Sequence, residues 1–132
     1  VEREDLLRRI ASPIVFDHLG RLPQPDGIKH PAFQIISRLI DRGRTWVKLS
    51  GSYLNTMIGP PTYADVAEVA RAYLKLAPER MVWGSDWPHP TMRDHKPNDA
   101  VLFELLSDWA PDEALRKRIL VENPAVLYGF LK

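Results

Sequence analysis

Three short runs rich in β-branched and aromatic residues, each separated from the next by a segment of helical periodicity, constrain this chain more than any other feature. They are Pro13 to His18 (Pro-Ile-Val-Phe-Asp-His), Thr45 to Ser50 (Thr-Trp-Val-Lys-Leu-Ser) and Met81 to Asp86 (Met-Val-Trp-Gly-Ser-Asp). Runs of this composition suit buried strands. No tight-turn signal joins one run to the next, so they do not read as hairpins. Strands joined through helices must lie parallel, because a helical crossover returns the chain to the same end of the sheet.

The intervening segments carry the helical pattern. Leu6, Leu7 and Ile10 mark an amphipathic end over Glu2 to Ile10. His30-Pro31 opens a helix with Phe33, Ile36, Leu39 and Ile40 on one face, closed by Gly43. Thr62 is placed to cap a helix carrying Val66, Val69, Ala70, Tyr73 and Leu74. Further helices are expected near Ala100 to Asp108 and Pro111 to Leu120, with a last turn near Pro124 to Phe130.

Strand ends at His18, Ser50 and Asp86 give units of roughly 30 to 36 residues, the period of a barrel of about 250 residues divided over eight units. An open doubly wound sheet tolerates the same period. Three parallel strands alone cannot close a barrel and leave two edges unprotected. The expectation is therefore an α/β chain forming a single partial domain over residues 1–132: a fragment of a longer chain, the favoured reading, or a unit whose other strands come from elsewhere.

Alternate residues of a strand share a face. Counting back from each strand end groups Ile14, Phe16 and His18 with Trp46, Lys48 and Ser50, and with Val82, Gly84 and Asp86. All three strands then end on a polar residue at one rim, the face where parallel barrels build active sites. Asp86 can act as a general base toward water or as a metal ligand; the plainer reading is a turn or cap aspartate. His18 can ligate a metal or donate to a substrate carbonyl. Arg21 can clamp a substrate carboxylate through its planar fork, or form a surface ion pair. Ser50 and Tyr53 are hydrogen-bond donors toward substrate, with Asn55 and Thr56 lining the same loop. His89 is either a substrate contact or a group that orients Asp86. Lys48, inward and mid-strand, calls for a carboxylate partner. His30 reads as a helix cap and His95 as solvated.

Eighteen basic against seventeen acidic residues, with no block of one sign, give no reason to expect nucleic acid or an anionic membrane as partner. No apolar run approaches the ~20 residues that span a bilayer. The absence of cysteine excludes disulfides and thiolate metal sites, and fits a cytoplasmic enzyme.

The segments Phe16-Asp17-His18-Leu19-Gly20-Arg21, Trp46-Val47-Lys48-Leu49-Ser50-Gly51 and Val82-Trp83-Gly84-Ser85-Asp86-Trp87-Pro88-His89 resemble three successive strand motifs of the amidohydrolase-2 family. In pattern they are most similar to 2-pyrone-4,6-dicarboxylate lactonases and related lactone hydrolases and isomerases. The stretch Glu122 to Phe130, with its Asn123-Pro124, resembles the family's last helix. The resemblance implies the C-terminal part of a (β/α)8 TIM barrel, about strands 6–8 with their helices.

It further implies a hydrolase of a lactone or similar cyclic ester of a carboxylated small molecule. Asp86 would activate water and His18 would polarise the carbonyl or approach a metal. Arg21, Ser50, Tyr53 and His89 would hold substrate. Members differ in metal use, so the cofactor is either a divalent ion such as Zn or Mn, held by Asp86 and His18, or none. A metal-dependent amidohydrolase or decarboxylase, a lactone isomerase and a homo-oligomer remain within the same resemblance. The family's His-x-His pair does not occur in this sequence, so the site is expected to be incomplete here, and an inactive fragment is the remaining alternative.

Overall fold

The computed structural model describes residues 3–130. It contains a three-stranded parallel sheet, β1 (Ile14–Phe16), β2 (Thr45–Leu49) and β3 (Met81–Trp83), in the order β1-β2-β3. The helices are α1 (Glu4–Arg9), α2 (Pro31–Asp41), α3 (Ala64–Leu76), α4 (Asp99–Trp109), α5 (Glu113–Lys117) and α6 (Asn123–Tyr128). A π-helical stretch, Arg118–Glu122, joins α5 to α6. The parallel α/β arrangement is the one the sequence pattern demands. Glu2, the first residue of the expected first helix, lies outside the described residues.

Local chemistry accounts for where α2 begins and ends. The His30 ring accepts a hydrogen bond from the Ala32 N–H, and Pro31 supplies a preset φ in the first turn. Ile35, Ile36, Leu39 and Ile40 form its buried stripe. Gly43, at φ 84, ends it by accepting a left-handed conformation. The start of α3 differs from expectation. Its N-cap is Tyr63, at φ 44 and without a side-chain cap bond, so Thr62 does not cap it. Asp65 occupies that role in part, its carboxylate accepting from the Val66 N–H.

The core lies between the sheet and α2, α3 and α4. Val47, Leu49 and Met81 are fully buried on that face, with Tyr73, Ala70 and Ile119 opposite. Full burial of side chains this size contributes about 1.5–3 kcal/mol each to folding. Trp46 is buried, with the Arg80 guanidinium 5.0 Å over its ring. Trp83 is half-buried, edge-on to Phe103. Buried Asn123 donates to the carbonyls of Pro78 and Met81 at 2.8 and 2.7 Å, tying α6 to the start of β3.

The register corrects the face assignment. Val15 pairs with Trp46, Phe16 with Val47 and Lys48 with Val82. Paired residues share a face, so Phe16 lies with Val47 and Met81 against the helices, while Val15 joins Trp46, Lys48 and Val82. Counting back from His18 misplaced β1 by one residue because the backbone stays extended through Asp17 and turns left-handed at His18, which therefore does not follow the strand's alternation. Lys48 has its expected carboxylate: Asp17, with Nζ 2.6 Å from Oδ1.

Candidate active site

His18, Ser50 and Asp86 all lie beyond the last strand residues, in the loops that leave β1, β2 and β3. What gathers them is a set of left-handed backbone turns. His18, Leu19, Gly20 and Arg21 have φ of 54, 55, 71 and 49°, a complete turn in the left-handed sense. Asp86 and His89 also have positive φ, at 65 and 56°. Each such non-glycine residue costs about 1–2 kcal/mol, and strain of this kind concentrates where a site must be held in place.

Gly51 explains how closely β2 approaches His18. It sits at φ 62, and a Cβ there would fall 2.8 Å from His18 Nδ1 and 2.8 Å from a Leu54 methyl. Only glycine satisfies both the backbone and the contact. The adjacent Ser50, buried, then places its Oγ 2.9 Å from His18 Nδ1.

The other ring nitrogen, His18 Nε2, stands 3.8 Å from Asp86 Oδ1. This is too long for a hydrogen bond and leaves both atoms directed at a shared space. Asp86 Oδ2 is held separately: the Tyr53 hydroxyl donates to it across 2.6 Å. Burial, and then the hydrogen bond to Asp86, hold the Tyr53 pKa well above the ordinary phenol value, so Tyr53 remains a proton donor. Behind Tyr53, His89 Nδ1 lies 3.2 Å from the hydroxyl and His89 Nε2 lies 3.0 Å from Asp99 Oδ1.

Five of the six residues expected from the sequence therefore form one chain of contacts, Ser50, His18, Asp86, Tyr53 and His89. The sixth, Arg21, is exposed; its Nε donates to Asn55 at 3.3 Å, and it lines a small hollow with His18 and Gly51. His89 is not placed as a substrate contact. It is 2 % exposed and both ring nitrogens are engaged, which puts it behind Tyr53 instead.

Asp99, Asp65 and Lys96 were not singled out from the sequence. Asp99 pairs with His89. Asp65 fastens the loop after Tyr53, accepting from Thr56 Oγ1 at 2.7 Å and from the Met57 N–H. Lys96 donates to the carbonyls of Pro88 and His89. Beside Tyr53 a cleft of about 400 Å³ opens between these loops, lined in part by Tyr63, Met92, Pro97 and Val101.

As for metal binding, His18 and Asp86 supply two donors. Among the described residues no group of three or more His, Cys, Asp or Glu side chains is placed to hold an ion. The donor set is too small for a divalent site built from the described residues alone. Among the described residues, too, no helix is long and apolar enough to cross a membrane.

Comparison with known proteins decides the family. The amidohydrolase family model, Amidohydro_2, matches residues 1–130. The chain belongs to the amidohydrolase family. Within the family it is 44% identical over 124 residues to the D-galactarolactone isomerase of Agrobacterium fabrum and 41% identical over 129 residues to the 4-sulfomuconolactone hydrolase of Rhizobium radiobacter. It is 31% identical over 132 residues to the 2-pyrone-4,6-dicarboxylate hydrolase of Comamonas testosteroni. These alignments cover 92%, 96% and 94% of this chain, and 42%, 43% and 43% of the respective relatives. The chain thus spans under half the length of the relatives it matches.

An apo crystal structure from Agrobacterium tumefaciens superposes with a TM-score of 0.87 at 42% identity, covering 99% of this chain and 46% of that one. The three-stranded parallel unit is accordingly a partial amidohydrolase barrel, in keeping with the two unpaired sheet edges among the described residues.

Proposed function

We propose that the intact protein hydrolyses a lactone or similar cyclic ester of a carboxylated small molecule, with Asp86 as the base that activates water. The observation that carries this reading is the unequal treatment of the two Asp86 oxygens. Oδ2 is fixed by Tyr53, and Oδ1 faces His18 Nε2 across 3.8 Å. The three relatives act, by their names, on lactones or a pyrone, which supports a cyclic ester as substrate class.

In this reaction Asp86 Oδ1 takes a proton from water as the water oxygen bonds to the ester carbonyl carbon. The ring C–O bond then breaks, and Asp86 returns its proton to the departing ring oxygen, giving a hydroxy acid. With Ser50 Oγ–H donating to Nδ1, His18 carries its proton on Nε2 and donates it to the developing oxyanion. Arg21 has its fork available for a substrate carboxylate, Nε alone being engaged with Asn55.

The test is turnover by the intact protein of 4-sulfomuconolactone, D-galactarolactone and 2-pyrone-4,6-dicarboxylate, with and without Asp86→Asn. The expected loss is at least about a hundredfold, the contribution of a positioned general base. Retention of most of the rate overturns the assignment.

One relative is an isomerase, and the same geometry serves that chemistry. If Asp86 instead takes its proton from a hydroxyl of the substrate, that oxygen bonds to the carbonyl carbon, the original ring C–O bond breaks and the proton passes to the departing oxygen, which moves the lactone bond without adding water. Product analysis by NMR separates the two: an open hydroxy acid for hydrolysis, a ring-shifted lactone for isomerisation.

A further inference from the structure

The hydrogen-bond chain continues past Asp86 into a buried imidazole. The Tyr53 hydroxyl has one proton and two neighbours that can accept it, Asp86 Oδ2 at 2.6 Å and His89 Nδ1 at 3.2 Å. His89 is nearly fully buried, and its Nε2 lies 3.0 Å from the Asp99 carboxylate. An ionised carboxylate only accepts. It therefore draws the ring proton to Nε2 and leaves on Nδ1 a lone pair aimed at Tyr53.

The ring is held in this orientation from several sides. It packs edge-on against Tyr53, with centroids 5.3 Å apart. Lys96 Nζ ties the carbonyls of Pro88 and His89, at 2.5 and 3.3 Å. Asp99 is the first residue of α4, fixed by the Asn98 cap on the Ala100 N–H.

We propose that His89 and Asp99 are positioning residues for Asp86, with His89 Nδ1 serving as the alternate acceptor of the Tyr53 proton. The proposal rests on the reading of Asp86 as the base. While Asp86 is ionised, the hydroxyl points at Oδ2, the shorter link. Once Oδ1 has taken a proton from water, the neutral carboxyl is a weaker acceptor and the hydroxyl turns to His89 Nδ1. When Asp86 gives its proton to the departing oxygen, the hydroxyl turns back. Tyr53 keeps its proton throughout, so no charge is created or lost in the relay.

This arrangement answers a difficulty in using a hydrogen-bonded carboxylate as a base. A bond to the charged form stabilises that form and blunts its basicity. If the donor had no other partner, its bond would be weakened each time Asp86 accepted a proton. His89 provides a replacement bond in the protonated state, so Asp86 can be both firmly held and reactive.

Histidine ring NMR of the ¹⁵N-labelled intact protein tests the relay without reference to turnover. In the parent, with Asp86 ionised and the Tyr53 proton on Oδ2, His89 is expected as the Nε2–H tautomer with an Nδ1 lone pair that does not yet receive a hydrogen bond. Asp99→Asn is expected to move the ring proton to Nδ1. Asp86→Asn, which imitates the neutral carboxyl, is expected to shift the Nδ1 resonance upfield as Tyr53 turns toward it, and Tyr53→Phe, added to Asp86→Asn, to abolish that shift. An Nδ1–H or doubly protonated His89 in the parent overturns the proposal. So does a ring unchanged by Asp99→Asn, or an Nδ1 resonance that ignores Asp86→Asn. A failure of the hydrolase reading appears separately, as an undiminished rate in Asp86→Asn.

Discussion

The Tyr53 hydroxyl donates to one oxygen of Asp86 across 2.6 Å and leaves the other oxygen turned toward His18. This division fixes the plane of the carboxylate and decides which lone pair is presented to a ligand. Tyr53 reaches Asp86 from the loop after β2, so this carboxylate is aimed by a different strand unit from the one that carries it.

Tyr53→Phe keeps the ring against His89 and removes the hydroxyl that bonds Asp86 and faces His89 Nδ1. Loss of one hydrogen bond to a charged group is expected to lower kcat on the order of ten- to a hundredfold, with KM little changed. Steady-state kinetics on the intact protein check this, and a change confined to KM would speak against an aiming role.

Gly51→Ala puts a methyl group where the His18 ring lies and forces a left-handed φ on alanine. The backbone penalty is expected to be about 1 kcal/mol, visible as a lower melting temperature. The displaced imidazole is expected to reduce activity by more than that loss of stability explains. An unchanged rate would show that the Ser50–His18 contact is dispensable.

Asn123→Leu removes two donors from carbonyls at the base of β3 without changing the apolar volume much. Two carbonyls left buried and unpaired cost about 2–3 kcal/mol together. Denaturant unfolding of the variant should show that loss. A shift under about 0.5 kcal/mol, the scale of an ordinary surface substitution, would mean that water replaces the amide.

Asp65 gives a pH dependence whose sign can be worked out. Burial raises its pKa, but hydrogen bonds from Thr56 and from the Met57 and Val66 N–H groups outweigh this and hold it below the ordinary carboxylate value. A carboxyl with a depressed folded-state pKa contributes stability that is present above its unfolded pKa, about 4, and lost as the pH falls through the lower folded value. Melting temperature against pH should therefore fall less steeply below about pH 4 in Asp65→Asn than in the parent. Parallel curves would remove Asp65 from the acid transition.

The sequence made the architecture readable because periodicity reports burial directly. Ile36, Leu39 and Ile40 repeat with the helix, and Val47 and Leu49 alternate with the strand. The rim residues were also readable, since a polar residue after an apolar run has few structural reasons to be there. The face count failed for β1 because it assumed extended backbone as far as His18, whereas β1 ends at Phe16 and the chain turns left-handed at His18. Asp99 was hidden for another reason. Nothing in a helix-opening aspartate indicates that it meets a histidine ten residues earlier, since that meeting depends on how the loop from Trp87 to Asn98 folds back.

The turn from His18 to Arg21 has a consequence for variation in this protein. Elsewhere in the chain a substitution is tolerated according to what the side chain touches. In these four positions the main chain judges first, because a mirror-image coil excludes β-branched residues whatever their polarity and favours Gly, Asn and Asp. A saturation scan should therefore show a filter here that follows backbone shape rather than hydropathy or charge. Drift at Arg21 would be channelled toward a few small polar types. On the proposed role of Arg21 in holding a substrate carboxylate, specificity would change there only through the narrow set of residues that the handedness of the turn admits.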